Sequence, residues 1–232
     1  LQNILRSLTS SMQGNDKKYK YRVEAQHVGF FETPVAYCKL NNGEGLLSDL
    51  DEVIRKHLSS QAGLKRSNIG GWHSDTNMLT WGGAPAAKLA ETAISIAQRM
   101  SHFQESSADQ FDWVVRMWAN VTPKGGLNHM HAHPGNLWAA VLYVDMGDEG
   151  DKTRDVGGAL YVEDPRFPMS AMHNTAIRMI GADGKPQQYE IEFKLERGNL
   201  VVFPAWLRHG VRPYTGNRER ISIAMNIDAR HK

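Results

Sequence analysis

From Phe111 onward the chain is a succession of short apolar stretches separated by turn residues, and this spacing narrows its fold more than anything else in it. Strands are expected near Asp112–Val121, Leu137–Asp145, Gly158–Glu163, Gln188–Leu195, Asn199–Phe203, Gly210–Arg212 and Arg220–Asn226. Such short strands do not read as the helix-linked strands of a parallel sheet. Many short strands at such spacing instead close into a jelly roll or barrel. The expected fold class is mainly β with flanking helices. Two longer loops interrupt the strands, the charged Gly147–Asp155 and the long Pro165–Pro186, and the second is a candidate lid.

Upstream of Phe111 the pattern is helical. Leu47, Leu50, Val53, Ile54 and Leu58 share one face of a helix expected over Ser48–Ser59, with Ser48 as N-cap. A second helix is expected from Pro85 to Phe103, with Leu89, Ala93, Ile96, Met100 and Phe103 as its buried stripe. Between them Gly63–Thr80 reads as loop, and Val28–Leu40 reads as an edge strand because of Pro34. Leu1, Ile4, Leu5, Leu8 and Met12 have amphipathic spacing and precede a polar linker. The expected organisation is therefore an N-terminal segment and linker over 1–27 and a single domain over 28–232, with two helices packed outside a β-sandwich.

Composition excludes several classes. A net charge of +2 argues against nucleic acid or a membrane surface as partner, and no apolar run approaches spanning length. The lone cysteine, Cys38, rules out an intrachain disulfide and fits a reducing cytoplasm. The amphipathic N-terminus and edge strands are compatible with a homodimer.

Chemistry concentrates in two places. Phe203–Asn226 reads as two strands about a turn at Thr215-Gly216-Asn217, a pairing in which Val211 faces Arg220 and His209 faces Ser222. His209, Val211, Arg220 and Ser222 then share one face, which is either a solvated stripe or a buried one that requires a metal and an anion. Arg220 could instead pair with Glu219 or Glu163. The second place is NHMHAHPG over Asn128–Gly135, where His129, His131 and His133 alternate and project together in extended chain. Two imidazoles at that spacing can chelate one ion, and His209 is the natural third ligand of a facial site with open positions. A surface histidine run is the alternative, and the apolar LWAAVLYV that follows argues against it. Beside such a metal, Arg220 and Ser222 would clamp a carboxylate, so the pair makes a seat for a dicarboxylate keto acid.

His-x-(Asp/Glu), a distant His and an Arg some ten residues on resembles the iron(II)- and 2-oxoglutarate-dependent oxygenases, and a little-characterised bacterial and phage branch in particular. The resembling segments are FETPVAY at Phe31–Tyr37, GGWHSDTN at Gly70–Asn77, Trp118–Val144, GGALYVEDPR at Gly157–Arg166, FPAWLRHGV from Phe203 and RISIAMN from Arg220. The resemblance implies a cupin-like double-stranded β-helix. It implies iron(II) on His131, His133 and His209, with His133 standing where the family has a carboxylate and His129 as the alternative partner of His131. It also implies 2-oxoglutarate held by Arg220 and Ser222, O2 as co-substrate, and hydroxylation of a small molecule or peptide with release of succinate and CO2. Asn120, Asn136 and Tyr143 are candidate 2-oxoglutarate contacts, and Trp72, His73 and Asp75 are candidate substrate contacts. Two other readings compete: a three-histidine cupin-type dioxygenase that does not use 2-oxoglutarate, and a metal-stabilised jelly-roll module without turnover.

Overall fold

The computed structural model describes residues 28–103, 108–148, 155–166 and 176–232. In chain order the described elements are β1 (Ala36–Lys39), α1 (Glu44–Ser60), β2 (Asn68–Ile69), β3 (Trp72–His73), α2 (Met78–Trp81), α3 (Gly83–Arg99), β4 (Phe111–Thr122), β5 (Leu127–His131), β6 (Trp138–Asp145), β7 (Leu160–Glu163), β8 (Glu190–Glu192), β9 (Asn199–Pro204), β10 (His209–Val211) and β11 (Arg220–His231). The chain forms two compact units, 1–33 with 167–189, and 34–166 with 190–232. The amphipathic N-terminal segment and its linker lie outside the described residues. Of the candidate lid, 167–175 also lie outside them. Its described end, in the first unit, carries a tight turn in which Gly181 O accepts from Gly184 N and Asp183 from Lys185 N.

The second unit holds every described strand in two antiparallel sheets, ordered β1-β9-β6-β11-β4-β3 and β2-β5-β10-β7-β8. The core is divided by strand parity. Ile221, Ile223, Met225 and Ile227 of β11, with Leu142 and Val144 of β6 and Leu200 and Val202 of β9, pack in one apolar cluster with α1 and α3. The opposite face of the same strands contributes Ala139, Tyr143, Val201 and Phe203 to a second cluster, completed by Leu160 and Val162 of the smaller sheet. Period-two alternation thus gives helix, sheet, sheet as three layers.

Both helices form where expected but start earlier. Asn42 takes a left-handed φ of 55° in the Asn41-Asn42-Gly43 turn, and α1 begins immediately after it at Glu44. Ser48 is therefore inside the helix rather than its N-cap, and Leu47, Leu50 and Ile54 are its buried residues. Helix α3 runs Gly83–Arg99 and stops short of Phe103. Its sheet-facing side is Ala86, Leu89, Ala90, Ala93 and Ala97, because small side chains let the helix lie close on the strands. Gly63–Thr80 is more structured than a loop, holding β2, β3 and α2. The edge strand near the N-terminus is only β1, and Gln188–Leu195 shrinks to β8, whose three residues are all exposed.

The expected hairpin between β10 and β11 does not form. β10 pairs with β5 and β7 in the smaller sheet, while β11 pairs with β4 and β6 in the larger. The connection is held away from a tight turn by Tyr214, which is fully buried. Its hydroxyl donates to Arg218 O at 2.7 Å and accepts from Asp148 N at 2.9 Å, and its backbone pairs with Gly125 and Gly126. Residues 212–219 therefore cross from one sheet to the other, and the inward residues of β10 and β11 face each other across the sandwich.

Candidate active site

A cavity of about 560 Å³ lies between the two sheets. Its walls include Trp118, Asn120 and Thr122 of β4, Tyr143 of β6, and Arg220, Ser222 and Asn226 of β11, all inward by parity. From the smaller sheet it receives His131, His133 and His209.

Antiparallel pairing makes His209 the Cα partner of His131, so residues far apart in sequence become cross-strand neighbours. His133 lies beyond the end of β5. It is tethered there by its N–H donating to Ala205 O (2.8 Å) and by Asn136 Nδ2 donating to its carbonyl (3.2 Å). One ring nitrogen from each of the three histidines lies within 4.8 Å of the others. His131 Nδ1 is 2.7 Å from His129 O and His209 Nδ1 is 2.9 Å from Leu207 O. A carbonyl only accepts, so both Nδ1 atoms carry hydrogen and both Nε2 atoms are bare lone pairs. His209 Nε2 is 3.2 Å from His133 Nε2. Burial pushes His209 down to about 3 and His133 down to about 4, and it lowers His131 as well, so the cluster is neutral at physiological pH. Neutral imidazole is the metal-binding form.

The arrangement fits a cation. Two imidazole nitrogens bound side by side to one ion at about 2.1 Å stand about 3 Å apart, close to the separation seen here. His129 is exposed and is not in the three-histidine cluster; its carbonyl orients His131.

The opposite wall carries Arg220, only 5% exposed. Among the described residues it has no carboxylate partner: Glu163 pairs with Arg208 and Glu219 with Arg55. Its guanidinium lies 5.5 Å from the Tyr143 ring centroid and 5.6 Å from that of Tyr214. Burial pushes the Tyr143 phenol up, opposed by the Arg220 charge. Gly158 leaves room for this guanidinium, since a Cβ there would stand 2.7 Å from Arg220 Nη1. A buried, unneutralised guanidinium is costly unless an anion joins it. Ser222, two residues along the same face, and Asn120, its Cα partner on β4, also line the cavity.

Of the remaining candidates, His73 lines the cavity, 5% exposed and stacked on Trp118 at 5.5 Å. Trp72 and Asp75 do not. The Trp72 indole donates to Gln61 O, and Asp75 accepts from Trp81 and from the Asn77 backbone, so both stabilise the local loop. Asn136 braces His133 and accepts from Arg116 rather than lining the cavity. Trp138 is buried, while Trp206 is 54% exposed. Sequence reasoning missed Arg66, Ser67, Thr76, Trp118, Asn128 and Asn226 as cavity residues. Asn226 and Trp118 could have been found by extending the parity of Arg220 and Asn120 along their strands. The others depend on how the 63–80 segment folds back.

Residues 116–226 match the family described as "Putative 2OG-Fe(II) oxygenase". No curated protein matches the chain. Among solved structures it is similar to a Pseudomonas putida prolyl-4-hydroxylase (18% identity, TM-score 0.54, covering 85% of this chain and 94% of that one). It is also similar to HygX from Streptomyces hygroscopicus, solved with nickel and 2-oxoglutarate (13% identity, TM-score 0.54, 84% and 83% covered). A third is SnoN, a non-heme α-ketoglutarate-dependent epimerase from nogalamycin biosynthesis (11% identity, TM-score 0.57, 86% and 81% covered). At these identities the structures establish a shared fold, the double-stranded β-helix. The family match over residues 116–226 spans the three histidines and Arg220, so this stretch of the chain is similar to the 2OG-Fe(II) oxygenases.

Proposed function

We propose that the chain is an iron(II)- and 2-oxoglutarate-dependent hydroxylase acting on a small molecule or peptide, with His131, His133 and His209 as the iron ligands. The observation that carries this reading is the pairing, in one cavity, of three mutually close neutral imidazoles with a buried arginine that has no carboxylate partner among the described residues. Bound there, iron would supply the redox chemistry that couples oxidative decarboxylation of 2-oxoglutarate to oxygen insertion into a substrate C–H bond. The chain's own residues do the rest. His129 O and Leu207 O fix the tautomers of His131 and His209, so that Nε2 of each is presented to the ion. Arg220 binds the distal carboxylate of 2-oxoglutarate, with Ser222 and Tyr143 donating beside it and Asn120 lining the same wall. Trp118, Val141 and Phe203 also line the cavity. Relative to a site with a carboxylate ligand, His133 leaves the metal one charge more positive, which favours an anionic co-substrate.

The test is anaerobic titration of the iron(II)-loaded protein with 2-oxoglutarate. The expected outcome is a saturable visible charge-transfer band of the chelated keto acid. Bound iron with no band would favour a three-histidine dioxygenase that does not use 2-oxoglutarate.

A further inference from the structure

The substrate half of the cavity has a charge of its own. Arg66 lies on the cavity wall and, among the described residues, makes no ion pair. No Asp or Glu lines the cavity, so nothing in its described wall neutralises this second guanidinium. The backbone at Arg66 is also held in place, while its side chain is exposed. Its backbone N–H donates to Asn68 Oδ1 at 2.8 Å, while Asn68 Nδ2 donates to Gly71 O at 2.8 Å and to Leu64 O at 3.2 Å. The next residue reaches the histidine cluster: Ser67 Oγ is 3.4 Å from His131 Nε2 and accepts from Asn128 Nδ2 at 3.3 Å. A braced backbone thus carries a cation to the edge of the candidate metal centre, two residues before β2, the strand that pairs with β5.

Two further groups face the same space as acceptors. His73 Nδ1 is committed to Ser74 O, which leaves Nε2 as a bare lone pair, and Asn226 Oδ1 is buried without a partner. The nearby Arg66 charge adds to the burial that lowers His73, consistent with a short path between them.

We propose that the substrate is an acid, with a carboxylate or phosphate group bound by Arg66, and hydrogen-bond donors directed at His73 and Asn226. The inference rests on the function proposed above, because it assigns Arg220 to 2-oxoglutarate and leaves Arg66 for the substrate. An exposed guanidinium on the cavity wall selects anions by charge and by paired N–H donors.

The experiment uses the full chain loaded with redox-inactive nickel(II) and saturating 2-oxoglutarate, titrated calorimetrically with benzoate, phenyl phosphate and benzamide. At least one anionic probe should bind about tenfold more tightly than benzamide, the scale of a charged hydrogen bond. Preference for benzoate or for phenyl phosphate identifies the anion as carboxylate or phosphate. Arg66→Ala should erase the margin, Arg66→Lys should keep part of it, and neither should change 2-oxoglutarate affinity. Equal binding of benzamide, no binding of either anion, or a margin that survives Arg66→Ala would overturn the inference. Failure of wild type to bind 2-oxoglutarate would instead overturn the functional reading on which it stands.

Discussion

Along β11, Ile221, Ile223, Met225 and Ile227 point toward the helices, while Arg220, Ser222, Ala224 and Asn226 point into the cavity. The first set is at most 1% exposed and apolar without exception. The second is polar at three of four positions, and Asn226 keeps a buried oxygen without a partner. One strand therefore does two jobs on alternate residues. The helix-facing side gains stability from close packing. The cavity-facing side gives some up, holding a guanidinium, lone pairs and an orphaned amide oxygen for groups that bind later.

Substitutions on the two faces should separate accordingly. The largest effect is expected at His209→Ala, which removes one of three nitrogens and should abolish retention of stoichiometric iron after desalting. Iron still bound at one equivalent would remove His209 from the ligand set. Ile223→Ala, on the other face, should cost about 2–5 kcal/mol of unfolding free energy while leaving 2-oxoglutarate affinity nearly unchanged, as read by denaturant titration and ligand binding. Arg220→Ala should show the inverse. Affinity for 2-oxoglutarate should fall roughly a hundredfold, the scale of a charge-assisted pair, with stability unchanged or raised because a buried unpaired charge is gone. A folded Arg220→Ala variant of unaltered affinity would break the comparison. The smallest effect is expected at Gly158→Ala, where the new Cβ meets Arg220 Nη1 and the φ of 78° disfavours a side chain. That variant should lose roughly tenfold in 2-oxoglutarate affinity, since displacing the guanidinium by a fraction of an ångström weakens but does not remove its hydrogen bonds.

Much of this was legible before any coordinates. Period-two alternation placed Arg220 with Ser222 on one face, because side-chain direction in a strand is a local property. Spacing put His129, His131 and His133 on one face with His209 as a third ligand, but the choice of His131 with His133 was implied by the family resemblance and not by the spacing. What failed was a pairing. Thr215-Gly216-Asn217 has hairpin chemistry, yet β10 and β11 join different sheets, because burial of Tyr214 and its hydrogen bonds to Arg218 and Asp148 outweigh the local turn preference. Helix starts also shifted, since the Asn42-Gly43 turn leads straight into α1 without a side-chain cap. Arg66 could not have been assigned to the cavity, because its position depends on β2 pairing with β5, a contact between segments some sixty residues apart.

By itself the sequence determined the mainly β class, the inward and outward faces of each strand, and the chemistry available in the two histidine-bearing segments. These depend on composition and on the two-residue period, which act within a few residues. Only the tertiary structure decided which strands are neighbours, that His131 and His209 lie side by side, and that Arg66 and His73 share a wall with them. Those facts come from long-range pairing and from competition among buried side chains for the same space, and no local pattern encodes the winner.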